Sequence, residues 1–207
     1  MKNTQILAAV LLAVGATTAQ AAGYVGFDVG YGKVDQESSA GEIARALANA
    51  TGNTVTYTYE QSAPAGRIFA GWNIAKDMAV ELGYLKTASL DATFNGTTTG
   101  RAAYSVTTGM EAKGFDAALV WYPIENVFIK GGVHAMDVDA TLTATVTSAS
   151  ATYTVSKSGT GLLFGVGYES EISKTLSGQV AYTHYNKVGG MSDATIDLVT
   201  AGLKMKF

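Results

Sequence analysis

Seven charged residues stand where an otherwise apolar pattern leaves a concealed position: Asp28, Arg67, Glu81, Asp116, Lys130, Glu169 and Lys204. Each lies in a run that alternates apolar with small or polar residues, and each falls on the face opposite the large apolar side chains. A lone charge in a low-dielectric interior is costly, so such residues must pair with one another. The chemistry open to them is an interior charge network, acting either as a plug or as the gate of a narrow pore. The phase of Asp116 is the least determined, because aligning on Tyr122-Pro123-Ile124 would place it outward. Lys206 is a further candidate.

Other chemistries find little support. The chain has no cysteine, which removes disulfides, thiol catalysis and Cys-based zinc sites. Its two histidines, His134 and His184, recur in no metal-ligand or Ser-His-Asp spacing. No catalytic residue, metal ion or cofactor is expected, and the chain is not read as an enzyme. A formal net charge of -3 gives no basic patch for nucleic acid.

The elements that carry these charges are strands. Charged residues make up 15% of the chain, against about 25% in an average globular domain. There are 24 glycines and two prolines. In Lys113–Met136, two alternating runs flank a turn at Pro123–Asn126, with Phe115, Ala117, Leu119 and Trp121 on one face and Val127, Ile129, Val133 and Ala135 on the matching face of the next run. Each run has about ten residues, enough to cross a hydrocarbon layer of roughly 25–30 Å at a steep tilt. The pattern recurs from Tyr24, Arg67, Met78, Gly161, Leu176 and Ile196, giving eight runs. Glycine on the concealed face of Gly23–Gly32 suits a narrow interior.

Connections between runs alternate short and long. Short turns fall at Lys76-Asp77, Pro123–Asn126 and Ser170–Lys174. The long segments are 35–63, 88–112 and 138–158. The first should hold a short helix over Gly41–Ala48, capped by Ser38 or Ser39, and a strand over Thr54–Glu60. The second should be a hairpin turning at Asn95-Gly96, and the third a threonine-rich hairpin. This is the pattern of an all-β, antiparallel, up-and-down transmembrane barrel of eight strands, with short periplasmic turns and long extracellular loops. A water-soluble barrel would point its large apolar residues inward and carry more Lys and Glu on its other face.

Ahead of the barrel, Lys2, the apolar run Ile6–Val14 and Ala19-Gln20-Ala21 read as a secretory signal peptide over 1–21, leaving 22–207 as one barrel domain. Tyr24, Trp72, Trp121, Tyr168 and Phe207 lie near the short-turn ends of their strands; Tyr31, Phe115 and Tyr185 lie near the other ends. Two such groups are expected to form interfacial aromatic girdles.

Tyr122-Pro123-Ile124, Lys130-Gly131-Gly132, Gly165-Val166-Gly167-Tyr168-Glu169 and Leu203-Lys204-Met205-Lys206-Phe207 resemble the OmpA-like family of eight-stranded outer-membrane barrels. That resemblance implies a bacterial outer-membrane protein in contact with lipid and lipopolysaccharide. It implies an interior salt-bridge network in which Lys130 and Glu169 match best, while Gln179 stands where relatives have arginine. It also implies that Leu203, Met205 and Phe207 form the signal read by the barrel assembly machinery. The peptidoglycan-binding domain carried by many relatives is not expected here. The function expected is structural or surface-interacting, through an extracellular protein or host-surface partner, with a small pore as the alternative and an outer-membrane lipid-modifying enzyme as a distant third.

Overall fold

The computed structural model describes residues 23–33, 37–98, 100, 102–147 and 149–207. The expected signal peptide lies outside these residues. Among the described residues ten strands and one α-helix follow in the order β1 (Gly23–Lys33), α1 (Glu37–Thr51), β2 (Thr56–Tyr59), β3 (Ser62–Ala75), β4 (Met78–Thr87), β5 (Leu90–Thr97), β6 (Ala103–Ile124), β7 (Val127–Val146), β8 (Ala149–Glu171), β9 (Leu176–Asn186) and β10 (Thr195–Lys206), with a three-residue 3-10 helix, Val188–Gly190, between β9 and β10. All pairings are antiparallel. Eight strands close a ring in the order β1-β3-β4-β6-β7-β8-β9-β10, with β10 returning to β1.

Alternation decides which residues face lipid. Phe27, Val29, Ile68, Leu119, Ile129, Phe164, Val166 and Val199 point outward and are exposed, whereas the alternate positions are filled and buried. A continuous exposed apolar belt of this size is untenable in water and is what a hydrocarbon layer requires.

The ring strands differ greatly in length. β4 has 10 residues and β10 has 12, but β6, β7 and β8 have 22, 20 and 23. The expected long segments 88–112 and 138–158 are therefore mostly continuous strand, while 35–63 holds α1 and β2. The extra ten or so residues of β6–β8 project roughly 30 Å along the strand direction. With β2 and β5 they form an upper sheet in the order β2-β5-β6-β7-β8. One row across it is Thr58, Thr93, Thr107, Thr143 and Thr152. Neighbouring hydroxyls bond across strands, Thr143 to Thr152 at 3.1 Å and Thr141 to Thr154 at 3.3 Å. The opposite face is apolar, and Ala44 and Leu47 of α1 pack against its Ala92, Phe94, Tyr104 and Val106.

Two local expectations change. The helix is longer than Gly41–Ala48 and starts at Glu37, so Ser38 and Ser39 lie within it rather than ahead of it. Asn95-Gly96 is not a turn: these residues pair with Ser105 and Tyr104 in mid-sheet. A Cβ on Gly96 would come within 2.6 Å of the Tyr104 hydroxyl, so this glycine makes room for a ring. The reversal lies just beyond, where Thr98 N–H donates to the Ala102 carbonyl at 2.8 Å and Ala102 N–H to Thr98 Oγ1 at 3.2 Å.

Candidate functional site

The lumen is filled in three layers. Arg67 on β3 organises the middle one. Its Nε and Nη2 donate to the two oxygens of Asp116 at 2.9 and 2.6 Å, a bidentate pair. Nη1 and Nη2 also donate to Glu81 Oε2, both at 3.2 Å, and Nη1 lies 3.7 Å from Asp28 Oδ2. Gln179 Nε2 completes Asp28 with a 2.7 Å bond to Oδ1. All five side chains are buried. Register explains the meeting: Asp28 is directly opposite Arg67, and Gly83 lies between Phe69 and Asp116 on the neighbouring strands. A Cβ on Gly83 would sit 2.6 Å from Arg67 Nε, so the guanidinium crosses the barrel over a strand without a side chain there.

Glu169 and Lys204 form a second group nearer the short-turn rim. They are in direct ion-pair contact, Tyr122 Oη donates to Glu169 Oε2 at 2.7 Å, and Lys204 Nζ donates to Tyr122 Oη at 2.8 Å. Lys206 closes the rim with a 2.8 Å bond to Glu171. Lys130 is buried but joins neither group by contact. Among the described residues no carboxylate lies within 4.0 Å of its amine, and its stem runs over Gly165. Glu169 thus pairs with Lys204, while Lys130 stands apart from both groups.

Above the charges sits an apolar layer of Leu85, Met136, Leu163, Tyr185 and Leu198, each at most 1% exposed. Below them, Tyr24, Phe69, Val120 and Phe128 pack together. Two aromatic assignments are corrected by these layers. Tyr24 is not a girdle residue: it shares the inward phase of Asp28, is 2% exposed, and donates to Glu81 Oε1 at 3.0 Å. Its ring also stands 4.4 Å from the Lys204 ammonium. Tyr185 is likewise fully interior, edge-on to His134 at 5.5 Å. Trp121, Tyr168 and Phe207 do face outward, each about half exposed, as do Leu203 and Met205. Trp72 is half-buried in the same outward phase.

One polar group was not legible in the sequence. His184 Nδ1 and Tyr182 Oη contact the same Asp197 oxygen at 2.8 and 2.5 Å on the outward face. Its signal was only the register that sets His184 opposite Asp197. Among the described residues no three His, Cys, Asp or Glu side chains are placed to share a metal ion.

The upper sheet ends at an open edge. From Ala149 to Ser156, β8 pairs with β7 alone, because its pairing with β9 begins only at Leu163. Near Gly159 the three-residue helix Val188–Gly190 packs against β8, with a Cβ on Gly159 falling 2.1 Å from Gly190 N. Beyond that point no strand among the described residues pairs with this edge, and Tyr153 beside it is 69% exposed.

The OmpA-like transmembrane domain matches residues 18–207. The chain belongs to that family. As an OmpA-like barrel it is an outer-membrane protein. Its fold is similar to Ail, the attachment invasion locus protein of Yersinia pestis, at 13% identity and a TM-score of 0.50, covering 89% of this chain and 99% of that one. Neisserial surface protein A aligns at 16% identity and a TM-score of 0.43, over 91% and 100% of the two chains. The N-terminal barrel of Pseudomonas aeruginosa OprF aligns at 10% and 0.45, over 91% and 100%. No curated protein sequence matches the chain.

Proposed function

We propose that this OmpA-like barrel is a sealed anchor whose projecting sheet recognises an extended protein segment outside the cell, by strand addition to the free edge of β8. The observation that carries this reading is the run Ala149–Ser156, paired on one side only. An unpaired strand edge offers a row of N–H and C=O groups that another strand can complete. Natural edges are blunted with charge, proline or a bulge, yet this run is ASATYTVS, with none of these. The cross-strand hydroxyl bonds of β7 and β8 hold it extended.

A structure of Ail contains the heparin analogue sucrose octasulfate. The same ligand class suits this chain poorly. The segments 35–63, 88–112 and 138–158 carry Asp35, Glu37, Glu42, Glu60, Asp91, Glu111 and Asp139 against Arg45, Arg101 and Lys157. A surface of that sign repels polyanions. The interior charge network acts as a plug rather than a gate in this reading, and the outward Leu203, Met205 and Phe207 serve recognition by the barrel assembly machinery.

The test is a shortened hairpin. Thr141 and Thr154 are already cross-strand neighbours, so residues 142–153 can be replaced by Asn-Gly without changing register. The shortened chain should keep its heat-modifiable gel mobility and lose binding to host cells or partner protein. Undiminished binding by the folded, shortened chain would refute the assignment.

A further inference from the structure

The projecting half of the molecule also encloses a cavity of about 770 Å³ between the inner face of the upper sheet, α1 and the β9–β10 connection. Leu90 and Phe94 of β5 line it, with Leu142 of β7, Tyr153 and Val155 of β8, and Ile43 of α1. Ile43, Leu142, Tyr153 and Val155 are 37%, 42%, 69% and 40% exposed. These positions lie on the projecting strands and helix, beyond the lipid-facing belt, so water meets them. Large apolar side chains from three elements converging on one wet concavity mark a binding site rather than scattered surface residues. The volume falls within the range of sites for small organic molecules, roughly 300–1,000 Å³. Asp193 supplies the only charged side chain among the residues lining the cavity, so those residues offer no cation to an anionic ligand. Beneath it, buried Met136, Val138, Val188, Ile196 and Leu198 fill the barrel, so a ligand that enters is held rather than passed on.

We propose that this cavity binds a small apolar molecule, neutral or cationic, taken from the external medium. The site is independent of the β8 edge, since its ligand contacts side chains on the inner face and not the strand's free backbone groups.

The test uses the full barrel in lipid nanodiscs with methyl-labelled methionine, read by NMR during titration with 2-naphthol as a neutral probe. Met110 and Met191 line the cavity, whereas Met205 faces lipid and reports partitioning into the bilayer. The Met110 and Met191 signals should move along a saturating curve while Met205 moves linearly with probe. Leu142→Arg should weaken the saturable phase at least ten-fold, and Thr143→Arg, in the threonine row of the opposite face, should leave it unchanged. Naphthalene-2-sulfonate should bind at least ten-fold more weakly to the unaltered chain, a comparison that needs no variant to fold. The proposal is overturned if Met110 and Met191 only follow Met205. It is also overturned if the sulfonate binds as tightly as the alcohol. The same holds if the two cavity signals respond to a second copy of the chain per disc and not to the probe.

Discussion

Arg67 holds three buried carboxylates inside the lumen. Removing the cation leaves Asp28, Glu81 and Asp116 facing one another without their counter-charge. Loss of one partner from a buried pair costs about 3–5 kcal/mol. Arg67→Met should lower the unfolding free energy of refolded barrel, read from urea titration, by an amount in that range, whereas Tyr24→Phe, which removes one hydroxyl from Glu81, should cost about 0.5–1.5 kcal/mol. Gly83→Ala is the matched steric test, since its methyl would overlap the guanidinium without changing any charge. Alternation puts Asp28, Arg67 and Glu81 on concealed positions, so their shared side was legible, whereas the phase of Asp116 is decided by its contact with Arg67. Their partners were not. Which charge meets which depends on strand stagger around a closed ring, and Lys204 rather than Lys130 reaches Glu169 for that reason. Tyr24 was misread because its place at a strand end outweighed its phase with Asp28.

At the scale of elements, the β7–β8 hairpin is both the longest projection and a strained one. Thr147 at its tip has φ of 55°. A β-branched residue in the left-handed region costs on the order of 1–3 kcal/mol. Thr147→Gly should therefore slow hydrogen exchange along Thr141–Thr154, with the barrel strands unaffected. Asp139 gives the hairpin a pH dependence. Its carboxylate accepts from Lys113 Nζ at 2.6 Å and from Ser156 Oγ at 2.5 Å, and these bonds, Lys113 first, hold its pKa below the usual carboxylate value. The folded state thus binds its proton less readily than the unfolded chain. The stabilisation is complete above about pH 4 and is lost as pH falls through the depressed native value. Hairpin protection measured by exchange should fall below pH 4, and Asp139→Asn should flatten that fall. The hairpins themselves were legible from threonine-rich alternation. The Asn95-Gly96 reversal was misplaced because the same dipeptide that favours a turn can instead clear space for a facing tyrosine.

As a whole, the chain is a membrane-crossing ring whose two rims are unequal. The short-turn rim is closed by Tyr122, Glu169 and Lys204, the middle by the Arg67 cluster, and the region above by an apolar layer. Eight strands enclose little more than their own side chains, and here three stacked layers occupy that space. Barrel class, strand count and outward face followed from sequence because period 2 and charge poverty are local signals. The upper sheet did not, because a strand running on past the membrane has the same alternation as a hairpin in a loop. On the function proposed above, the barrel is sealed and recognition takes place on the sheet above it. Planar bilayer recording on purified, refolded chain tests this most directly. No stepwise conductance should appear with the unaltered chain at moderate voltage. A steady ohmic conductance that disappears or changes unit size on Lys130→Ala or Arg67→Met would contradict the account and make the lumen a pore.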